Sequence, residues 1–399
     1  MLNPNTNQRE LAYIVTIDEI RPIEGYDRVE HARVGGWWVV VKKDQFKVGD
    51  LAIYIEVDAK VPAEEPFMFL EPKKFKIKTQ KMCKVLSQGL LMHPQDFKET
   101  SLDFVGDRIL EVGQFVTQEL KITYADAEDN KRKAASADKY KLMAQRNSNL
   151  FKRQPFRWLM KREWGKKLLF IFFGKKKDKK NGWPAWVVKT DEERCQNMPW
   201  LFPGNPDEEW IATEKVDGTS TTFTMKGFGR SRQFFICSRN VVFDKPDKQC
   251  YYETNVYTEM AQKYNIEEVL SEILFRWSSV CNFVTIQGET YGATIQKRDY
   301  GLTDRAFKAF NVILGYEDGH TERLNPIEMK ELLDEFNIPT VDIVDEHFII
   351  PETCDKLLEL AGGPSAIDGG MREGLVFRSK DGVKSFKAVD NNFLLKYHS

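Results

Sequence analysis

The sequence predicts an α+β protein with an N-terminal β-barrel and a larger second domain of antiparallel sheets with flanking helices. Short β-branched and aromatic runs fill the first quarter of the chain, a strongly basic stretch follows, and longer strand and helix patterns occupy the second half. A chain of 399 residues is long enough for two domains that each bury a core. The expected bounds are 1–125 for the barrel, 126–184 for a basic connector and 185–399 for the second domain.

The composition is that of an ordinary globular protein, with 42% hydrophobic and 30% charged residues and a net charge of −1. The first residues are polar and lack a signal-peptide pattern, and the longest apolar run, 168–173, is too short to cross a bilayer. Six scattered cysteines have neither paired spacing nor nearby histidines, which argues against a structural zinc site and a disulfide framework. We therefore expect a reducing, cytoplasmic location and no membrane partner.

The barrel prediction rests on short strand-like runs between residues 10 and 95. Glycine-containing turns separate these runs, as in a small Greek-key barrel of the OB type. Basic residues alternate with aromatic ones here, which suits a nucleic-acid groove, although a solubilising surface over an ordinary barrel core explains them equally well. The runs are 11–17, 37–41 and 51–57, the basic residues are Lys42, Lys43, Lys73, Lys74, Lys76 and Lys78, and the aromatic residues are Phe46, Phe69 and Phe75.

The connector is strongly basic. Between residues 131 and 180, 18 Lys and Arg stand against 3 Asp and Glu, a surplus of +15. Charge runs usually form solvated faces, but a surplus of this size next to a domain suspected of touching nucleic acid favours contact with phosphates. Binding to a membrane surface is the weaker alternative.

The second domain is organised around Lys215-Val-Asp-Gly218, which lies between two strand-like runs. The pair Asp217-Gly218 is typical of a tight turn in which glycine takes a positive φ, so Lys215 is expected at a strand end. A lysine at such a position is either a solvated hairpin residue or a nucleophile whose pKa its surroundings lower. Asp217 could hold a hydrated divalent metal beside it.

Later segments supply groups that complement a nucleophilic lysine. Arg239 follows a strand-like run and would face an anion or a ribose. Glu289 and Glu373 each stand beside a glycine in a strand pattern, and Lys384 and Lys387 lie in the last strand-like segment. A nucleophile, three carboxylates for a hydrated metal and cations for a triphosphate are the groups that phosphoryl transfer requires.

These motifs, taken in order, resemble those of the covalent nucleotidyltransferases, the superfamily of ATP-dependent DNA and RNA ligases and GTP-using mRNA capping enzymes. The match covers about 185–399, in the order Lys-x-Asp-Gly, Ser-Arg-Asn, Gly-Glu-x-x-Gly, Phe-x-Ala-Phe, Glu-Gly-x-Val-Phe and Ser-Phe-Lys. Because only twelve residues follow Lys387, we expect no C-terminal OB domain. An N-terminal OB domain resembles instead the nick-sealing RNA ligases of the Naegleria and Deinococcus type, to which 46–58 and 189–197 are also similar.

The resemblance implies a role for each candidate residue. Lys215 would attack the α-phosphate of ATP, while Asp217, Glu289 and Glu373 would hold Mg²⁺ or Mn²⁺ through water. Related enzymes often have Lys-x-Lys in the last motif; this chain has Ser385 at the first position, and Lys384 is the candidate replacement. Contacts to the nucleotide or its phosphates are implied for Glu214, Lys215, Gly218, Arg239, Phe310 (stacking on adenine), Glu373, Lys384 and Lys387.

The sequence thus predicts a monomeric ATP-dependent RNA ligase that joins 3′-OH and 5′-phosphate ends through lysyl-AMP. Its expected partner is a nicked RNA or RNA/DNA duplex, in RNA repair. The barrel would grip this duplex, so its removal is expected to impair sealing and to spare adenylylation. The alternatives are a ligase for single-stranded or tRNA ends, a non-catalytic OB-type RNA-binding protein, and a capping enzyme that uses GTP.

Overall fold

The computed structural model describes residues 9–104, 109–124, 154–160, 162, 164–165, 169, 183–184, 186–188, 192–239, 241–243 and 254–398. Most of the predicted basic connector lies outside these residues. The described part is an α+β protein, as predicted, with a domain of short strands followed by two larger sheets and their helices. None of the described helices is long and apolar enough to span a membrane. The predicted domain bounds stay predictions.

The N-terminal domain contains two antiparallel three-stranded sheets in the described residues. One sheet has the order β1 (Ala12–Thr16), β5 (Leu51–Ile55) and β9 (Leu90–Met92), and the other has the order β2 (Glu19–Ile23), β3 (Tyr26–Val34) and β4 (Trp37–Lys42). Shorter pairs join β6 (Ala59–Lys60) to β10 (Thr123–Tyr124) and β7 (Gln80–Met82) to β8 (Val85–Ser87). Alternate apolar residues of these strands fill two buried clusters, which explains the period-2 pattern of the sequence. The three predicted strand runs are confirmed.

The aromatic residues of this domain do not all face solvent. Phe46 is buried in the core and stacks on His93, with ring centroids 4.2 Å apart. Phe75 packs against the same domain's core, whereas Phe69 is 58% exposed. The interpretation of Phe46 as a ring that stacks on bases is therefore wrong, because the segment between β4 and β5 buries this ring in the core of the domain.

The helices of the described residues are α1 (Gln154–Met160), α2 (Val256–Lys263), α3 (Ile266–Arg276), α4 (Pro326–Asp334), α5 (Cys354–Ala361) and the single turn α6 (Asn391–Phe393). In α3 the buried residues Ile266, Val269, Leu270 and Ile273 recur at helical spacing, so one face of the helix packs on a sheet. α4 begins with a capping box in which Asn325 and Glu328 satisfy each other's backbone N–H groups.

The first sheet of the second domain carries Lys215. Its order is β11 (Glu193–Arg194), β21 (Ser385–Val389), β20 (Gly374–Ser379), β12 (Glu209–Lys215) and β19 (Ile343–Ile349). β11 runs parallel to β21, and the other described pairs are antiparallel. One face packs on α5 through Trp210, Phe377 and Phe386. Lys215 and Lys387 lie on the opposite face, because the register alternates from these core residues.

The second sheet carries Glu289 and packs on α2 and α3. Its order is β15 (Val242–Phe243), β14 (Gln233–Ser238), β13 (Thr219–Lys226), β16 (Cys281–Gly292), β17 (Arg305–Tyr316) and β18 (Thr321–Arg323). β12 and β13 thus belong to different sheets, and the predicted hairpin turn at Asp217-Gly218 is wrong: these two residues cross from one sheet to the other.

Gly218 is required by a close approach of two strands. It does not adopt the positive φ that we predicted. A Cβ atom at this position would lie 2.3 Å from the carbonyl oxygen of Thr290 and 2.9 Å from Cγ of Glu289. Only glycine lets the crossover pass this close to β16.

Candidate active site

Lys215 ends β12 at the point where the two sheets meet. Its Nζ donates a hydrogen bond to Oε2 of Glu373 at 2.7 Å. Glu373 directly precedes Gly374, the residue opposite Lys215 in the register of β12 and β20. The side chain of Lys215 is 25% exposed, so solvent reaches it although protein surrounds it. Lys215 is therefore an enclosed, ion-paired lysine and not a solvated hairpin residue.

Three carboxylates surround this amine. Asp217 and Glu373 are buried, and Glu289 reaches the amine from the second sheet, where it lies opposite Ser220. Burial raises the pKa of Glu289 to about 8, and burial also raises the pKa of Glu373. Burial alone would lower the pKa of Lys215. The attraction of the three carboxylates is stronger than this effect, so the pKa of Lys215 is raised above its ordinary value.

This donor set fits a hydrated divalent cation. Carboxylate oxygens are the ligands that Mg²⁺ and Mn²⁺ prefer, and three acidic side chains around one lysine leave negative charge to be compensated. In the described ranges, no three His, Cys, Asp or Glu side chains are grouped so that they could ligate one ion directly. Asp217, Glu289 and Glu373 therefore suit an ion held through its water molecules, which stays a prediction.

Two residues outside the predicted motifs hold Asp217. The hydroxyl of Tyr300 accepts a hydrogen bond from the backbone N–H of Asp217 at 2.7 Å. Nε2 of His398 lies 3.3 Å from Oδ2 of Asp217, and this contact raises the pKa of the imidazole. His398 is placed there by a π-helical turn, Leu394–His398. No local pattern signals either residue, because only the folded chain brings them to Asp217.

Phe310 belongs to an apolar surface beside Lys215. It packs in a cluster with Val216, Val341 and Ile367. An apolar surface next to the amine of Lys215 suits a purine base. The stacking of Phe310 on adenine stays a prediction.

Glu214 points to the other face of β12. Oε1 accepts a hydrogen bond from the hydroxyl of Ser365 at 2.5 Å, and Oε2 accepts one from the backbone N–H of Ala366 at 2.7 Å. The carboxylate therefore anchors the loop that carries Ile367 into the apolar surface. A direct contact of Glu214 with adenine stays a prediction.

The two lysines of the last motif lie in different places. In the strand register, Lys387 pairs with Val376, and Val376 pairs with Thr213. Thr213 and Lys215 are two residues apart in β12, so Lys387 lies on the same sheet face as Lys215. Lys384 precedes β21 at the far end of the sheet, where Nζ donates to Glu208 at 3.0 Å and the side chain is 65% exposed. This placement argues against Lys384 as the replacement for the missing lysine, and its role stays a prediction.

Two arginines that we did not predict lie close to Lys387: Arg378 is on the same sheet face, and Arg323 of β18 contacts that face at Ser385. Arg378 is buried opposite Ser385, and its Nη2 donates to Oε1 of Glu192 at 3.1 Å. Arg323 contacts the same carboxylate oxygen at 3.4 Å. Nε and Nη1 of Arg378 have no hydrogen-bond partner among the described residues. The face therefore has more positive than negative side-chain charge. Arg378 directly follows the Glu-Gly-x-Val-Phe motif, and this position is the one sequence signal that could have identified it.

Arg239 connects the site to the N-terminal domain. Its Nη2 donates to the hydroxyl of Tyr124 at 3.1 Å, and the guanidinium lies 5.6 Å from the centroid of the same ring. Tyr124 belongs to β10. Burial raises the pKa of Glu289, and the positive charge of Arg239 partly offsets this effect. A contact of Arg239 with the nucleotide stays a prediction.

Comparison with known families agrees with this geometry. Residues 11–94 match the model of an OB-fold domain, and residues 208–398 match the model of the RNA ligase family. The second match includes every predicted site residue, from Glu214 to Lys387. No curated protein sequence matches the chain. The chain thus combines an OB-fold domain with a domain that matches the RNA ligase family.

Over nearly its whole length the chain is similar to Naegleria gruberi RNA ligase. A mutant of that enzyme in its apo form is 26% identical, with a TM-score of 0.68, over 97% of this chain and 98% of that chain. A mutant with ATP and Mn is 25% identical, with a TM-score of 0.69, over 98% and 100% of the two chains. A mutant with AMP and Mn is 26% identical, with a TM-score of 0.67, over 98% and 99%. The predicted fold, family type and enzyme class are confirmed.

Proposed function

We propose that this protein is an ATP-dependent RNA ligase that joins a 3′-OH to a 5′-phosphate through AMP bound covalently to Lys215. The observation that supports this most is the enclosed amine of Lys215, 2.7 Å from Glu373 and beside Asp217 and Glu289. The ATP and Mn bound to the Naegleria enzyme support ATP with Mg²⁺ or Mn²⁺ as the cofactors of this chain.

In the first step, Lys215 attacks the α-phosphorus of ATP. A P–N bond forms, the bond to the β-phosphate oxygen breaks, pyrophosphate leaves, and the amine loses a proton. The amine must be neutral to attack, whereas the ionised carboxylates raise its pKa. A divalent cation held by these carboxylates would offset their charge and favour the neutral amine. Lys387 and Arg378 lie on the same sheet face, Arg323 of the second sheet contacts Ser385 on that face, and the three cations would attract the departing pyrophosphate.

In the next two steps, the AMP passes to RNA and is released. The 5′-phosphate of one strand attacks the phosphorus of lysyl-AMP, which frees Lys215 and forms a phosphoanhydride. The 3′-OH of the other strand then attacks the 5′-phosphate, which forms the phosphodiester and expels AMP. All three steps are phosphoryl transfers that need the same stabilisation of negative charge, so one set of carboxylates and cations serves them all.

The preferred substrate is a nick in a duplex with an RNA 3′-OH strand. The OB-fold domain and the similarity to the Naegleria ligase over nearly the whole chain support this choice. Sealing is measured on nicked RNA duplexes and RNA/DNA hybrids, on the same strands without their complement, and on cleaved tRNA. We expect the nicked duplexes to be joined at least about tenfold faster. Equal rates on single strands or tRNA would contradict the duplex preference and leave the ligase chemistry standing.

A further inference from the structure

One buried amide, that of Asn197, joins the OB-fold domain to the ligase domain. Asn197 is 1% exposed. Its Nδ2 donates to Oε1 of Glu56 at 2.9 Å and to Oε1 of Glu193 at 2.7 Å. Its Oδ1 accepts from Nε1 of Trp37 at 2.8 Å and from the hydroxyl of Tyr13 at 3.5 Å. An asparagine amide has two N–H donors and an oxygen with two lone pairs, so this network uses its full capacity.

The partners fix which way the amide points. The indole N–H of Trp37 can only donate, and an ionised carboxylate can only accept, so the oxygen of Asn197 must face the indole. Tyr13 in β1, Trp37 in β4 and Glu56 after β5 belong to the OB-fold domain. Glu193 belongs to β11 of the ligase domain. The amide therefore sets the position of one domain relative to a particular strand of the other.

That strand lies directly beside Lys387. In the parallel pairing of β11 with β21, Arg194 is the register partner of Lys387. The guanidinium of Arg194 also lies 5.6 Å from the ring of Trp37. The domains approach closely here, since a Cβ atom on Gly36 would lie 2.8 Å from Cα of Gln196. β11 is thus held between the OB-fold domain on one side and the strand of Lys387 on the other.

We propose that Asn197 is a positioning residue for lysine adenylylation, because it fixes the OB-fold domain against β11 and thereby holds the face that carries Lys387. This inference rests on the proposed function, since it concerns the lysyl-AMP step. The OB-fold domain then serves the first step of the reaction as well as RNA binding. The contacts of Asn197 therefore argue against the expectation that removal of the barrel spares adenylylation.

The test compares two variants of this network with a control at the same domain interface. Trp37→Phe removes one N–H donor and keeps a ring, and Asn197→Asp places a third carboxylate beside Glu56 and Glu193. The control, Arg33→Ala, removes a partly exposed ion pair with Asp355 (3.1 Å) and a hydrogen bond to the carbonyl of Gly35 (2.9 Å), and neither contact involves β11. At saturating ATP, we expect transfer of label from α-labelled ATP to fall about tenfold in Trp37→Phe and about a hundredfold in Asn197→Asp. The control should stay within about twofold of the wild type.

Hydrogen–deuterium exchange gives a readout that does not depend on activity. The peptides that contain 193–197 and 385–389 should exchange faster in Trp37→Phe and as in the wild type in Arg33→Ala. Wild-type exchange and labelling in Trp37→Phe, or an equal loss of labelling in the control, would overturn the proposal. Because Trp37→Phe is mild, it decides the question even if Asn197→Asp does not fold. An unlabelled wild type would refute the proposed function instead, and the exchange experiment would still decide whether Asn197 fixes β11.

Discussion

Lys215 and Glu373 form a 2.7 Å ion pair between residues that lie 158 positions apart in the chain. The pair exists because Lys215 is the last residue of β12 and Glu373 directly precedes the strand that is antiparallel to it. After Lys215 the chain crosses into the second sheet, which brings Glu289 to the same amine. One strand end thus combines a nucleophile with carboxylates from both sheets.

Replacement of Glu373 by glutamine tests the role of this carboxylate. Glu373→Gln keeps the shape of the side chain and removes its negative charge, so we expect adenylylation to fall by at least about a hundredfold. The initial rate of label transfer is measured over a range of Mn²⁺ concentrations, and the concentration for half-maximal rate should rise. Glu359→Gln, at an exposed ion pair with Lys356, is the control. A rate for Glu373→Gln that equals the control's would contradict this role.

The close approach at Gly218 makes an alanine costly. Because a Cβ atom there would lie 2.3 Å from the carbonyl oxygen of Thr290, Gly218→Ala must push β13 away from β16 and displace Glu289. We expect a loss of about 1–3 kcal/mol in the free energy of unfolding and at least about a tenfold slower adenylylation. Gly362→Ala is the matched control, since its nearest atoms lie at 3.2 Å. If both variants unfold and react alike, the steric account of Gly218 does not hold.

The two lysines of the last motif should respond differently to alanine. Lys387→Ala removes a cation from the face of Lys215, and we expect adenylylation to fall about a hundredfold. Lys384→Ala removes only an exposed ion pair with Glu208, and the rate should stay within about twofold. Both rates are measured by transfer of label from ATP. A large loss in Lys384→Ala would show that this lysine reaches the phosphates after all.

The carboxylate of Glu192 balances the positive charge of two arginines, Arg378 and Arg323, beside the sheet face that carries Lys387. Burial alone would raise its pKa, but Arg378 and Arg323 outweigh burial and hold the net pKa below its usual value. The folded state therefore prefers the ionised form, so this stabilisation is present above the ordinary glutamate pKa, about 4.3, and is lost as pH falls below it. Near neutral pH, Glu192→Gln should lower the free energy of unfolding by about 3–5 kcal/mol, because both arginines lose their partner charge.

Urea unfolding at neutral pH and at a pH well below the ordinary glutamate pKa checks this prediction. The difference between wild type and Glu192→Gln should shrink as the solution becomes more acidic. Lys380 and Glu209 form an exposed ion pair on the same sheet, and Glu209→Gln serves as the control. A difference that is the same at both pH values would show that the charge of Glu192 does not stabilise the fold.

Local patterns, together with the resemblance to the nucleotidyltransferase motifs, led to the candidate residues of the site. Lys215, Glu289 and Glu373 were recognised because each stands beside a glycine or at a strand end, and such positions are encoded by neighbouring residues. Their common location followed from the order of the motifs. The predicted hairpin at Gly218 failed because a turn signal does not reveal whether the strands on either side pair with each other.

Register and long-range contacts could not be predicted in the same way. The orientation of Lys384 could not be read from the sequence, because a shift of one residue along a strand moves a side chain to the opposite face of the sheet. Tyr300 and His398 have no motif around them, and each acts through a partner more than 80 residues away. Asn197 ends the string 189–197, but its partners in the OB-fold domain lie more than 80 residues away and could not be predicted from that string. Arg378 directly follows the Glu-Gly-x-Val-Phe motif, but its position opposite Ser385 required the register.

The central claim is that the amine of Lys215 becomes covalently bound to AMP. The most direct measurement incubates wild type and Lys215→Arg with α-labelled ATP or GTP and Mg²⁺, separates the protein under denaturing conditions, and locates the label by mass spectrometry. We expect label from ATP on Lys215 of the wild type and none on Lys215→Arg, because a guanidinium stays protonated and cannot attack phosphorus. Label that remains on Lys215→Arg, label from GTP alone, or a wild type without label would contradict the claim.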